Sequence, residues 1–395
     1  MSCFRFHPDI DDSFDPYVVP NRVVNLAGAR ERFGDAVDRY TPFLMQGDPL
    51  ADELVNELKL YEWAPGSGSK LFDQALIHGI DSVDNPPPVL ENFFRSVERV
   101  PPWVDWNQLQ LAGEVLIRPG ALSLLAVAFG GLIFSYGSPA GNKPLMHTEK
   151  LLKFASKRLS ETGEYMLQVC LPGGLLRGHQ GYELSIRSRI THANVRRMLL
   201  RSDWWKVDDW GIPINQLDLC VTNIQFSVML VRNMRKLGVV ITQDEEDAVI
   251  NLWRYAGLLM GVNRELIVTS SHEADRISEF SKLTNGLPDE DSEELVSALL
   301  GASQGIFQSN YQLLSKLSGD RMIGSIARHL VGMPLADNIG LKANGWDAMV
   351  PLMRMVVLSQ SLLTRLQPDN KKRRFENGRL KWEEVLAELE KNNEE

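Results

Sequence analysis

Arg187-Ser188-Arg189-Ile190-Thr191-His192-Ala193-Asn194-Val195-Arg196-Arg197 sets the reading of this chain. Ser188, His192, Val195 and Leu199 recur at i, i+4, i+7 and i+11, which is one stripe of an α-helix. Val195 and Leu199 turn that stripe inward, so the spacing predicts a buried His192. Arg189 and Arg196 lie about a turn to either side. Cations beside a buried stripe need anions. Carboxylates such as Asp203 or Asp218 would serve. A haem would serve as well, offering iron to an imidazole nitrogen and two propionates to guanidinium forks. A packed core histidine fits the same spacing.

Thirty residues before His192 stands Thr162, in Arg158-Leu159-Ser160-Glu161-Thr162-Gly163. Arg158, Glu161 and Thr162 fall at i, i+3 and i+4, on one broad helix face. A surface ion pair between Arg158 and Glu161 is the plain alternative. Pro172-Gly173-Gly174, with Gly178 and Gly181, interrupts the two helical segments. That break lets them run antiparallel, an arrangement able to sandwich a flat macrocycle.

Helical periodicity extends through most of the chain. Thr242-Gln243-Asp244-Glu245 is a capping box, opening apolar positions 248, 249, 252, 253, 256, 259 and 260 and closing at Gly261. Leu217 to Leu237 and Ser292 to Leu317 also read as helices. Regular strand alternation is missing. The expectation is an all-α fold: one large domain over residues 26–377, an N-terminal arm over 1–25, and a charged C-terminal helix or tail over 378–395.

Composition narrows the function. The 395 residues are 44% hydrophobic, enough for a large core, and their 42 basic and 51 acidic side chains give a net charge of −9. An acidic chain is a poor nucleic-acid binder. Basic clusters occur at Arg196-Arg197 and Lys371-Lys372-Arg373-Arg374. Cys3, Cys170 and Cys220 form no Cys-x-x-Cys, so neither a zinc site nor a disulfide framework is expected. Met1 to Asp9 lacks the apolar centre of a signal peptide. The most apolar run, Ala121 to Tyr136, is shorter than the ~20 residues of a membrane span. These features lead us to expect a cytoplasmic protein without a transmembrane segment.

Other chemistries find little support. Gly301-Ala302-Ser303-Gln304-Gly305 spells a nucleophile elbow, which needs a strand before it; helix is expected there instead. No His-Glu-x-x-His or Glu-x-x-His occurs, which argues against helical non-haem iron. Gly66-Ser67-Gly68-Ser69-Lys70 lacks the context of a phosphate-binding loop.

Five segments, in order across roughly residues 45 to 365, carry a resemblance. They are Pro102-Trp103-Val104-Asp105-Trp106; the Arg158…Thr162 and Arg189…His192…Arg196 pair; Trp210-Gly211-Ile212-Pro213-Ile214-Asn215-Gln216 with Asp218-Leu219; Leu252 to Val262; and Arg328-His329-Leu330-Val331-Gly332 with Leu335-Ala336-Asp337. Together they resemble the haem-dependent oxygenases that include the latex clearing protein and MpaB. The resemblance implies a b-type haem with His192 as its axial metal ligand. It places Arg189, Arg196 and Arg328 near the haem carboxylates, and Arg158 and Thr162 on the distal side. It implies dioxygen and a hydrophobic small-molecule substrate, with oxidative cleavage of a carbon–carbon double bond as the precedent. Two positions depart from the latex clearing protein. Glu161 stands where that protein has lysine, and Asn142 falls near its catalytic glutamate, with Glu149 the nearest acid. Glu161 is then the expected proton carrier. Leu122, Leu125, Phe129, Ile224, Phe226 and Met229 are candidate cavity walls. A haem-binding or gas-sensing protein without turnover, and a haem-free helical lipid-binding module, are the alternatives.

Overall fold

The computed structural model describes residues 18–58, 67–147, 151–303, 312–366 and 370–394. Among these, all regular structure is helical, as the periodicity predicts. Local chemistry sets the boundaries. The Thr242 capping box forms, with Glu245 returning its carboxylate to the Thr242 N–H. Asp105, Asn215, Ser270 and Asp289 cap four further helices through their side chains.

The helix Trp106–Ile117 runs beside Gln243–Leu259 and turns through 89° into Ala121–Tyr136. Gly120, at φ +60°, makes the corner. Among the described residues no single helix is long and apolar enough to cross a membrane; this bent pair matches only on length and composition. Most of its apolar side chains are buried inside the protein.

Two π-helical turns face one another. Val127–Leu132 lies in the first of these helices, and Gln225–Met229 in the helix spanning 216–236. Glycine permits the approach: a Cβ on Gly130 would lie 2.0 Å from Asn233 Nδ2.

The C-terminal helix starts at Lys371, not near 378, and it is no appendage. Trp382, Val385, Leu386 and Leu389 are buried along the helix Leu151–Cys170. Trp382 donates its indole N–H to the Gly163 carbonyl at 3.3 Å. The N-terminal arm is likewise docked where it is described. Arg22 grips Asp218 with two bonds of 2.8 and 2.9 Å. The helix expected over Ser292 to Leu317 ends at Ala302; residues 304–311 lie outside the described set. Ser303 caps that helix with its hydroxyl on the Leu299 carbonyl, so no strand-to-helix elbow exists there.

Candidate functional site

The helices Leu151–Cys170 and Gln180–Leu200 form the expected hairpin. The Tyr165 hydroxyl lies 3.3 Å from Ser185 Oγ, and a Cβ on Gly181 would meet the Gln168 carbonyl at 2.6 Å. Sequence numbers converge on the turn, so the helices are antiparallel. Gly173 and Gly178, both at positive φ, make the turn itself. From the Tyr165–Ser185 level, Thr162 sits about 4 Å along the axis and His192 about 10 Å, at 1.5 Å rise per residue.

The helix bearing His192 is fastened at two levels. Arg189 makes a bidentate pair with Asp48, 2.5 Å from Nε to Oδ2 and 2.8 Å from Nη2 to Oδ1, with both side chains buried. Seven residues on, Arg196 pairs with Asp52 and donates to the Pro213 and Ile214 carbonyls at 3.1 and 3.0 Å. Two glycines make room. A Cβ on Gly261 would lie 2.1 Å from Asp48 Oδ2, and one on Gly47 would lie 2.7 Å from Asp52 Oδ2. Gln216 ties both in place, donating to the Gly47 and Gly261 carbonyls and accepting from Asn263 N–H. The carboxylates that meet these arginines are therefore Asp48 and Asp52. Asp203 and Asp218 play no such part, and Asp218 holds Arg22.

His192 is half-buried, and its Nδ1 is buried with no hydrogen-bond partner. Burial, assisted by the Arg196 charge and opposed by Asp48, holds its pKa down at about 4, so the imidazole is neutral at pH 7. Asp52 moves oppositely: burial pushes it up to about 6, against the pull of Arg196. For His192 the folded pKa lies below the unfolded 6.5. Its contribution to stability is complete above pH 6.5 and is lost as pH falls through 4. Comparing the parent with His192→Gln by urea unfolding isolates this group from Asp52. The parent's advantage should shrink by about 2 kcal/mol between pH 7 and pH 4.5. A pH-independent difference would mean that His192 titrates normally.

A separate, small cleft with about 30 Å³ of free volume opens on the other side of the Thr162 helix. Arg158 and Thr162 line it with Tyr136, Leu132, Leu159, Leu295, Ala298 and Leu299. Burial raises the Tyr136 phenol pKa despite the nearby Arg158 charge, so the phenol stays protonated. Buried Asn142 donates to the Tyr136 carbonyl at 2.8 Å and to Ser292 Oγ at 3.2 Å. It thereby ties two walls of the cleft together without lining it.

Residues 121–360 match the family described as ER-bound oxygenase mpaB/B'/Rubber oxygenase, catalytic domain. The chain belongs to this oxygenase family. It is 25% identical over 281 residues to a rubber oxygenase of Streptomyces sp. strain K30. That alignment spans 68% of this chain and 63%, under two thirds, of the relative. The fold matches the structure of latex clearing protein LCP in the closed state with a TM-score of 0.59 at 18% identity, covering 86% of this chain and 91% of that one.

Within this family member, four of the five segments that carried the resemblance touch one another, and the fifth closes on itself. Trp103 and Trp106 stack edge-on against Tyr255, and Arg254 lies 3.7 Å over the Trp103 ring. Residues 210–216 close on the Asp48–Arg189 fastening through Gln216. Arg328 pairs with Asp337 at 2.6 Å and with the Leu341 carbonyl.

Several expected roles change. Arg189, Arg196 and Arg328 each have protein partners, Asp48, Asp52 and Asp337. Glu161 does not join the cleft: it is exposed and lies 3.8 Å from exposed Lys157. Leu125, Phe129 and Ile224 are closed core, while the cleft walls come from Leu132, Leu159, Leu295 and Leu299. His329 is exposed. Glu149 lies outside the described residues. Tyr136, hidden at the end of an apolar run, was missed as a cleft residue.

Proposed function

We propose that this chain is a haem b-dependent oxygenase that uses dioxygen to oxidise a hydrophobic small molecule, with carbon–carbon double-bond cleavage as the reaction its relatives suggest. The observation that carries the reading is His192: a neutral imidazole whose buried Nδ1 has no protein partner, on the helix antiparallel to the one that bears Arg158 and Thr162. Gln225 Oε1 and Trp253 Nε1, on neighbouring helices, are also buried and unpartnered. Such orphans are costly unless something meets them. His192 would therefore be the residue that holds the haem iron. Arg189 and Arg196 are held by Asp48 and Asp52, and we assign them no role toward the haem carboxylates.

Bound haem would supply the iron at which dioxygen is activated. The chain's own residues do the rest. Leu132, Leu159, Leu295 and Leu299 form the apolar wall that a substrate would meet on widening this small cleft. Arg158 offers a fixed positive charge to developing negative charge on oxygen, and Tyr136 and Thr162 offer hydroxyls. Among the described lining residues the groups able to pass a proton are the Tyr136 and Thr162 hydroxyls.

Protein purified from haem-replete cells should show a Soret band and consume oxygen when given a short polyunsaturated isoprenoid. A colourless protein that also fails to take up added haemin would end this reading. Arg158→Ala should lower turnover about 10²–10³-fold with haem retained. Glu161→Gln should stay within about twofold of the parent, because an exposed i,i+4 pair contributes little. The reverse ranking in an oxygen-electrode assay would return the proton-carrying role to Glu161.

A further inference from the structure

The helix Met349–Arg365 has two apolar faces and packs only one of them. Val350 is buried and the Ser361 hydroxyl accepts the Val240 N–H at 2.9 Å, which fixes the inner face. On the opposite side Leu352, Met355, Val356, Leu362, Leu363 and Leu366 are exposed, Leu363 by 62% and Leu366 by 78%. At 100° per residue these six fall within an arc of about 120°, the stripe of an amphipathic helix. Scattered surface leucines are ordinary; a continuous stripe is not.

Charge decides what covers it. Residues 349–374 carry Arg354, Arg365, Lys371, Lys372, Arg373 and Arg374 against Asp369 alone, six minus one, or +5, in a chain of net −9. Arg374 bonds to the Thr364 carbonyl, which sets the basic cluster against the end of the apolar stripe. Lys371, Lys372 and Arg373 are exposed there. Interfaces between protein copies are depleted in lysine. An apolar face bordered by a basic cluster matches acyl chains beneath anionic headgroups.

We propose that this face, with Lys371, Lys372 and Arg373, docks the protein on an anionic lipid bilayer, the helix lying in the plane of the surface. The proposal stands apart from the haem chemistry, and its test reads retention on lipid, not turnover. The full-length protein is sedimented with phosphatidylcholine vesicles made with and without phosphatidylserine. It should bind the phosphatidylserine vesicles and be released by salt. Lys371→Glu with Lys372→Glu should weaken binding about thirtyfold or more. Leu363→Ser with Leu366→Ser should weaken it about tenfold or more. Both double variants change exposed positions, and unchanged circular dichroism and Tm confirm that they fold. Absence of vesicle binding by the parent, or binding indifferent to both variants, overturns the proposal. So does a dimer in light scattering that the leucine variant dissociates while lipid is ignored, which would assign the face to a second copy.

Discussion

Arg189→Ala should destabilise the protein by about 3–5 kcal/mol, the range for removing one partner of a buried ion pair. The cost comes from what remains. Asp48 is 4% exposed and would lose both guanidinium bonds. Gly261 crowds its Oδ2, leaving little space for a water to replace them. Arg189 also lies 5.0 Å over the Phe93 ring, so packing is lost along with charge. Guanidinium chloride unfolding of the haem-free protein measures the loss. Asp48→Leu combined with Arg189→Met should recover most of it, because apolar residues of similar volume often replace a buried pair at little cost. A loss below about 1 kcal/mol for Arg189→Ala would show that Asp48 has access to water or a proton, and that the pair is not what fastens this helix.

His192→Ala should abolish the Soret band, or leave haem so weakly held that it washes out on gel filtration. Nothing else described on this helix offers a neutral imidazole, and His329, the other candidate, is exposed. The folded state should survive. The substitution removes an unpartnered polar atom, and the Arg189 and Arg196 fastenings lie outside the change. A variant that keeps the parent spectrum would remove His192 as ligand. A variant that loses helical circular dichroism would instead give His192 a structural role.

The helices were readable because their signals are local. The Ser188–Leu199 spacing, the Thr242 capping box and the glycine break each sit within a few turns of chain. The spacing found the helix but not its buried face: Ile186, Arg189, Ile190, Ala193 and Arg196 are buried, while Ser188, His192 and Val195 are half-buried. The partners of the arginines were not readable, since Asp48 and Asp52 lie some 140 residues away and no local pattern ties them to Arg189 and Arg196. Glu161 failed for a geometric reason. Positions i+3 and i+4 straddle position i by about 60° and 40° on opposite sides. The cleft accepts Thr162 on one side of Arg158 and leaves Glu161 to the solvent on the other. The cavity walls failed because the π-turn at Val127–Leu132 advances the register, turning Leu132 and Tyr136 toward the cleft and Phe129 into the core.

That π-turn frees the cleft wall beyond it from residue count. A π-turn is an α-helix holding one extra residue, which the wider turn absorbs locally. Its neighbours on either side are ordinary α-helix, so the chain could lose a single residue between Val127 and Leu132 and still form an unbroken helix. Everything downstream would then keep its phase, because the shortened stretch turns through the same angle. Tyr136 would stay on the cleft and its carbonyl would keep the Asn142 tether. Only the residues inside the turn would change face. In this helix a one-residue indel can thus be tolerated at the turn without moving the wall that follows it.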